Sequence, residues 1–184
     1  MRRDNIKLRE YQADLIGKIR FAILHGHKSI VSVLGCGGGK SVIQAEIARS
    51  ATAKGNRVLF LVHRKELCEQ ITGTFTAQGV NMDLCSVSMV QTVSRHIDKL
   101  PEPRIIITDE AHHSTAASYK KIYAAFPDAC RLGFTATPCR LNKGGLGEVY
   151  DKLITSVTTQ WLIEHNYLSP YKYYSIPLAD TKKL

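Results

Sequence analysis

The chain has 184 residues, 44% of them hydrophobic and 22% charged, which suits one folded domain and excludes a disordered chain, a collagen and a coiled coil. Lysine and arginine number 25 against 16 acidic residues, a formal charge of +9 that points to a polyanionic partner, nucleic acid first, although a merely soluble basic protein has the same balance. No apolar run approaches the roughly 20 residues of a membrane span, and no apolar stretch follows the basic start Met1-Arg2-Arg3 as it would in a secretory signal.

Leu8, Tyr11, Leu15, Ile19, Ala22 and Ile23 recur every three or four positions and predict a helix over 8–25, stopped at Gly26. Residues 28–34 have the composition of a buried strand, and a glycine cluster separates them from a helix over 41–53. A second strand follows at 58–62. Leu67, Ile71 and Phe75 then mark a helix ending near Gly79. Residues 84–88 read as a weak strand, 89–98 as a short helix, 104–108 as a strong strand, 116–126 as a helix and 131–135 as another strand. After Thr137-Pro138 the texture changes: Gly144, Gly145 and Gly147 predict a mobile loop over 141–147. A short helix over 158–165, a last strand over 171–176 and an outgoing linker over 178–184 complete the chain. Strands alternating with helices imply βαβ units and an α/β fold, a three-layer α/β/α sandwich around a mainly parallel sheet.

The sharpest feature is Gly35-Cys36-Gly37-Gly38-Gly39-Lys40-Ser41, which follows a predicted strand and opens a predicted helix. That is the setting of a phosphate-binding loop. Glycines let the backbone curl so that several N–H groups point at phosphate oxygens, and the helix start adds the positive end of its dipole. Lys40 supplies a charge for the β- and γ-phosphates, and Ser41 a hydroxyl for Mg²⁺. The full G-x-x-x-x-G-K-[ST] pattern has glycine at its first position, where this chain has Leu34.

Residues 105–108 lead into Asp109-Glu110-Ala111-His112. In a parallel α/β sheet the carboxyl ends of strands face the ligand crevice, so Asp109 falls beside the phosphate loop, where it helps hold Mg²⁺ through water. Glu110 is suited to orient and deprotonate an attacking water. Two acids at a strand end are otherwise a solvated pair; the upstream loop favours the functional reading. His112 and His113 lack later partners at a zinc spacing, and the five cysteines are odd in number with no C-x-x-C pair. No structural metal and no disulfide framework are expected, and reduced thiols fit a cytosolic chain.

Together these blocks resemble the first motor domain of a superfamily 2 helicase or translocase of the DEAH-box type. Leu8-Arg9-Glu10-Tyr11-Gln12 is similar to the glutamine motif, residues 58–70 to motif Ia, residues 87–92 to the looser block before motif II, and Gly133-Phe134-Thr135-Ala136-Thr137-Pro138 to motif III. Asp-Glu-Ala-His-His and Thr-Ala-Thr-Pro-x-Arg resemble the bacterial and phage branch that shares a domain with type I and III restriction motor subunits. Departures are Cys36 and Gly38, where threonine and serine or alanine are common, and His63, where proline is usual.

The resemblance implies a RecA-like P-loop NTPase fold with ATP and Mg²⁺ as cofactors. The ATP site comprises Arg9, Gln12, Gly35, Cys36, Gly37, Gly38, Gly39, Lys40 and Ser41. Ser41 and Asp109 face the metal, and Lys40, Asp109 and Glu110 carry hydrolysis. His112, Thr135 and Thr137 couple phosphate state to domain movement, and Arg64, Thr92 and Arg140 touch nucleic acid, DNA favoured over RNA. A restriction-type translocase that does not separate strands, and an RNA helicase, remain alternatives. The family's motor works between two RecA-like domains. The expectation is that 1–178 form the ATP-binding domain and 179–184 begin a linker to a second one, in cis or on a partner chain. The domain alone is expected to be nearly inactive, in the cytoplasm of a bacterial or phage-infected cell.

Overall fold

The computed structural model describes residues 7–137 and 145–171. Six strands form one sheet: β1 (Ser29–Val33), β2 (Val58–Val62), β3 (Cys85–Met89), β4 (Ile105–Thr108), β5 (Cys130–Thr135) and β6 (Lys152–Thr155). Their order is β3-β2-β4-β5-β1-β6, and every pairing is parallel. The helices are α1 (Glu10–Leu24), α2 (Lys40–Thr52), α3 (Lys65–Ala77), α4 (Val90–Arg95), α5 (Ala117–Ala125) and α6 (Thr159–Glu164).

Strand β2 shows why the sheet is covered on both sides. All five of its residues are buried, and alternation sends Val58, Phe60 and Val62 into one core and Leu59 and Leu61 into the other. The first core is closed by Leu15 and Ile19 of α1, Ile43 and Ala48 of α2, Phe75 of α3 and Leu162 of α6. The second is closed by Val90 and Val93 of α4, Ile122 and Tyr123 of α5, and Leu146, Val149 and Tyr150. The result is the expected three-layer sandwich, with all six strands parallel. Because the strands run one way, the segments after β1, β4, β5 and β6 emerge at one edge.

Three expectations need correction. The run 89–98 is not one helix: α4 ends at Arg95, His96 leaves the helical region at φ −131°, and a separate 3₁₀ turn covers Ile97–Lys99. The predicted mobile loop ends in ordered structure, since Leu146–Glu148 form a 3₁₀ turn whose Leu146 is packed in the second core. Strand β6 is absent from the expected elements. It has four residues, of which only Ile154 is buried, so it offers no alternating pattern to read. The predicted strand over 171–176 lies almost wholly outside the described residues, as do Arg140 and the linker over 179–184.

Candidate nucleotide site

The phosphate loop connects β1 to α2, as expected. Gly37 and Gly39 have φ of 77° and 78°, a left-handed conformation that glycine adopts without strain. Gly35 and Gly38 are required for a different reason, space. A Cβ on Gly35 would run into the Thr158–Thr159 backbone at the start of α6, and one on Gly38 would stand 2.8 Å from Leu34 Cγ. Leu34, which replaces the first glycine of the full pattern, is fully buried beneath the loop. Gly35 donates its N–H to Val157 O at 3.0 Å and Gly38 donates to Gly35 O at 3.1 Å. Among the described residues no acceptor faces the N–H groups of Cys36, Gly37, Gly39, Lys40 or Ser41. These donors sit at the start of a helix whose first turn carries no acid, so its positive end is uncompensated. Lys40 is partly buried and Ser41 exposed.

The glutamine motif braces this loop. Arg9 is the N-cap of α1, and Gln12 Oε1 accepts from Arg9 N at 3.0 Å to close a capping box. Gln12 Nε2 and Tyr11 Oη both donate to Gly38 O, at 3.2 and 3.0 Å. Gln12 is thus bound to the loop backbone, with one N–H and one lone pair of its amide still available. The Arg9 guanidinium donates to Tyr11 Oη at 3.2 Å and lies 4.9 Å over the Tyr167 ring.

Asp109 and Glu110 stand at the carboxyl end of β4. The Asp109 carboxylate accepts from Gln44 Nε2 of α2 at 3.0 Å, which joins the acid to the helix that begins with Lys40. Glu110 has φ 48° and ψ 53°, one of two non-glycine residues with positive φ among those described. The turn at Glu110 brings His112 back: its Nδ1 is 3.3 Å from Glu110 Oε2 and 3.1 Å from Thr135 Oγ1. Thr135 Oγ1 donates to Thr137 O and accepts from Thr137 N, at 3.1 and 3.2 Å. With Nδ1–H as the donor, Thr135 Oγ1 is the acceptor, and the Glu110 carboxylate stands beside the same N–H. The structure therefore brings Glu110, His112, Thr135 and Thr137 into one chain. The His112 and His113 rings are 4.1 Å apart and His113 is 5.2 Å from His63. Among the described residues no three His, Cys, Asp or Glu are arranged to hold a metal ion.

Arg64, the N-cap of α3, and Thr92 of α4 are exposed just past Val62 and Met89, which are paired in register. They share the edge that carries the phosphate loop, on the strands remote from it. Arg140 lies outside the described residues.

Sequence reasoning missed three contributors. Gln44 is one: a polar residue amid Ile43, Ala45 and Ile47, four positions after Lys40, which is the only signal it gives. The second is the segment after β6, whose Thr159 abuts Gly35 and whose Leu168 would contact a Cβ on Gly37 at 2.8 Å. Tyr11, Trp161 and Tyr167 pack there with centroids 5.2–5.8 Å apart. The third is a buried hydroxyl cluster behind the acids. Thr108 Oγ1 and Tyr123 Oη are 2.8 Å apart, Ser114 Oγ and Tyr150 Oη 2.9 Å, and Tyr123 donates to Ser114 at 3.3 Å. Burial pushes the Tyr150 phenol well above its usual value, so it stays a neutral hydrogen-bonding group.

The chain matches the type III restriction enzyme res subunit family over residues 5–92 and 81–140. It is 49% identical over 148 residues to a 51.5 kDa protein of Lactococcus phage (isolate 7-9), covering 80% of this chain and 33% of that protein. It is 32% identical over 209 aligned positions to a Saccharomyces cerevisiae protein that carries the name ATP-dependent helicase IRC3, covering 95% of this chain and 30% of that one. The chain thus spans about a third of the length of these relatives. Among solved structures it resembles the Pyrococcus furiosus Hef helicase domain, with TM-score 0.73, 19% identity, and coverage of 94% of this chain and 42% of that one. It also resembles the Type ISP restriction-modification enzyme LlaGI in complex with a DNA substrate mimic, with TM-score 0.69, 16% identity, and coverage of 87% and 20%.

Proposed function

Because the chain belongs to the type III restriction enzyme res subunit family and has the fold of a superfamily 2 helicase motor domain, we propose that it is the ATP-binding half of a DNA helicase or translocase. The observation that carries this reading is the glycine loop opening α2, with the N–H groups of Cys36, Gly37, Gly39, Lys40 and Ser41 unmet among the described residues and no acid in the first turn of the helix. The free N–H groups from Cys36 to Ser41 and the Lys40 ammonium receive the phosphates. Gln12 and Arg9 border the base. Ser41 and Asp109 are hard oxygen donors, the set that suits Mg²⁺, and Gln44 leaves Asp109 one oxygen for it. When bound, that ion neutralises charge developing on the transferred phosphoryl group. Glu110 takes the proton of the attacking water, with His112 Nδ1 standing 3.3 Å from its carboxylate. The same imidazole reaches Thr135, so a shift of the Glu110 side chain is felt at Thr137, where motif III leads away from the sheet.

Residues 1–178 form the ATP-binding domain in this reading, and 179–184 begin the connection to a second RecA-like domain, in cis or on a partner chain. A cation from that second domain adds roughly 10³–10⁵ in rate in related phosphoryl-transfer sites, so the isolated domain hydrolyses ATP very slowly. Arg64, Thr92 and Arg140 contact the nucleic-acid backbone. DNA is favoured because the Type ISP enzyme LlaGI was captured with a DNA substrate mimic. The phage relative favours the cytoplasm of a bacterial or phage-infected cell.

Lys40→Ala is expected to lower affinity for Mg·ATP by roughly tenfold or more, from the loss of a charge-assisted contact to phosphate. Unchanged affinity in a calorimetric titration removes the phosphate-loop assignment. The likeness to restriction subunits favours a second reading, translocation without strand separation. A strand-displacement assay on the full-length protein separates the two. Affinity for duplex DNA against single-stranded RNA at one salt concentration tests the choice of nucleic acid.

A further inference from the structure

We infer that Gln44 is a positioning residue that fixes the Asp109 carboxylate and determines which of its oxygens is left to a divalent cation; the inference rests on the nucleotide reading above. Gln44 is fully buried, on a stretch of α2 otherwise occupied by Ile43, Ala45 and Ala48. Its Nε2 donates to Asp109 Oδ1 at 3.0 Å. An ionised carboxylate only accepts, so the amide must turn its NH₂ group toward Asp109. Its Oε1 is then sealed from solvent with no donor among the described residues.

A buried amide with one end unmet works against the fold, and methionine would fill the same volume without that cost. Packing alone does not select glutamine at this position; its grip on Asp109 does. Asp109 is held twice, its N–H by Leu61 O of β2 at 3.2 Å and its Oδ1 by α2. The oxygen that remains is Oδ2. Because Ser41 and Gln44 lie on one rigid helix, the hydroxyl and the carboxylate keep a fixed relation when the phosphate loop shifts.

The test uses Gln44→Met, which keeps the length and removes the donor, and Gln44→Glu, which sets a second carboxylate against Asp109. Both are made in the intact protein, their thermal midpoints recorded, and binding of a fluorescent ATP analogue is titrated across Mg²⁺ concentrations. Binding without Mg²⁺ is expected to match wild type in both. The Mg²⁺ concentration that half-restores tight binding is expected to rise roughly tenfold in Gln44→Met, the loss of one charge-assisted hydrogen bond, and further in Gln44→Glu. Should Gln44→Met fail to fold, Gln44→Glu carries the comparison. A wild-type Mg²⁺ requirement in the folded variant overturns the role of Gln44 and leaves the nucleotide reading standing. Wild-type protein whose binding responds neither to Mg²⁺ nor to Lys40→Ala overturns that reading and this inference with it.

Discussion

Glu110 carries both the proposed chemistry and a backbone conformation that glutamate disfavours. The left-handed region costs a residue with a Cβ about 1–2 kcal/mol, and here φ is 48°. That turn sets the Glu110 carboxylate against His112 and lets Ala111 pack in the second core, 0% exposed. Glu110→Gly is therefore expected to melt at the wild-type temperature or above it while hydrolysis falls by roughly 10² or more, the contribution of a general base. A lower melting temperature means that the conformation is not strained. Gly133 shows the opposite need. Its φ is unremarkable, but a Cβ there would stand 2.5 Å from Tyr150 Oη and 2.8 Å from Ala111 Cβ. Gly133→Ala is expected to lose about 1–3 kcal/mol by overpacking, read as a lower urea midpoint. The glycine-lysine-serine loop and the acid pair were legible from residue type and spacing. Gln44 was not, because a lone glutamine on a helix is ordinarily a surface residue, and only the fold reveals that it is buried against Asp109.

At the scale of elements, legibility followed burial. β2 and β4 were readable because nearly every residue in them is buried, and α1 because its apolar stripe faces one core. β6 was not, because an edge strand with one buried side chain carries no period. The role of α6 was hidden for another reason: its contact with the phosphate loop joins segments distant in sequence. Helix α1 offers a control for the glycine argument. Gly17 lies in its interior, and a Cβ added there would meet nothing within 4 Å, unlike one on Gly133. Gly17→Ala is expected to raise stability by about 0.5–1 kcal/mol through helix propensity, without effect on nucleotide binding. Loss of stability there means that the α1 face toward β6 is more tightly occupied than the described contacts indicate.

For the molecule as a whole, burial of neutral acids sets an alkaline limit. It pushes Cys85 up to about 12, Cys130 up to about 11 and Tyr119 up to about 12, from ordinary values of 9.0 for the thiols and 10.0 for the phenol. The unfolded chain gives up these protons first, so their contribution to stability is complete below pH 9.0 and is lost progressively toward about 12. The urea midpoint is expected to fall between about pH 9 and 11, and less steeply in Cys85→Val; a slope that the substitution leaves unchanged removes the thiol from the account. The two neighbours of β1 in the sheet are β5 and β6, the last strands described along the chain. The loop that β1 carries is backed by Thr158 and Thr159. The phosphate loop is thus written early and supported late. During synthesis from the N-terminus its glycines wait for more than a hundred residues to emerge before their supporting wall exists, and the loop-closure entropy of that contact falls on the final stage of folding. If the proposed function holds, nucleotide binding reports that β6 and the segment after it have docked behind the loop.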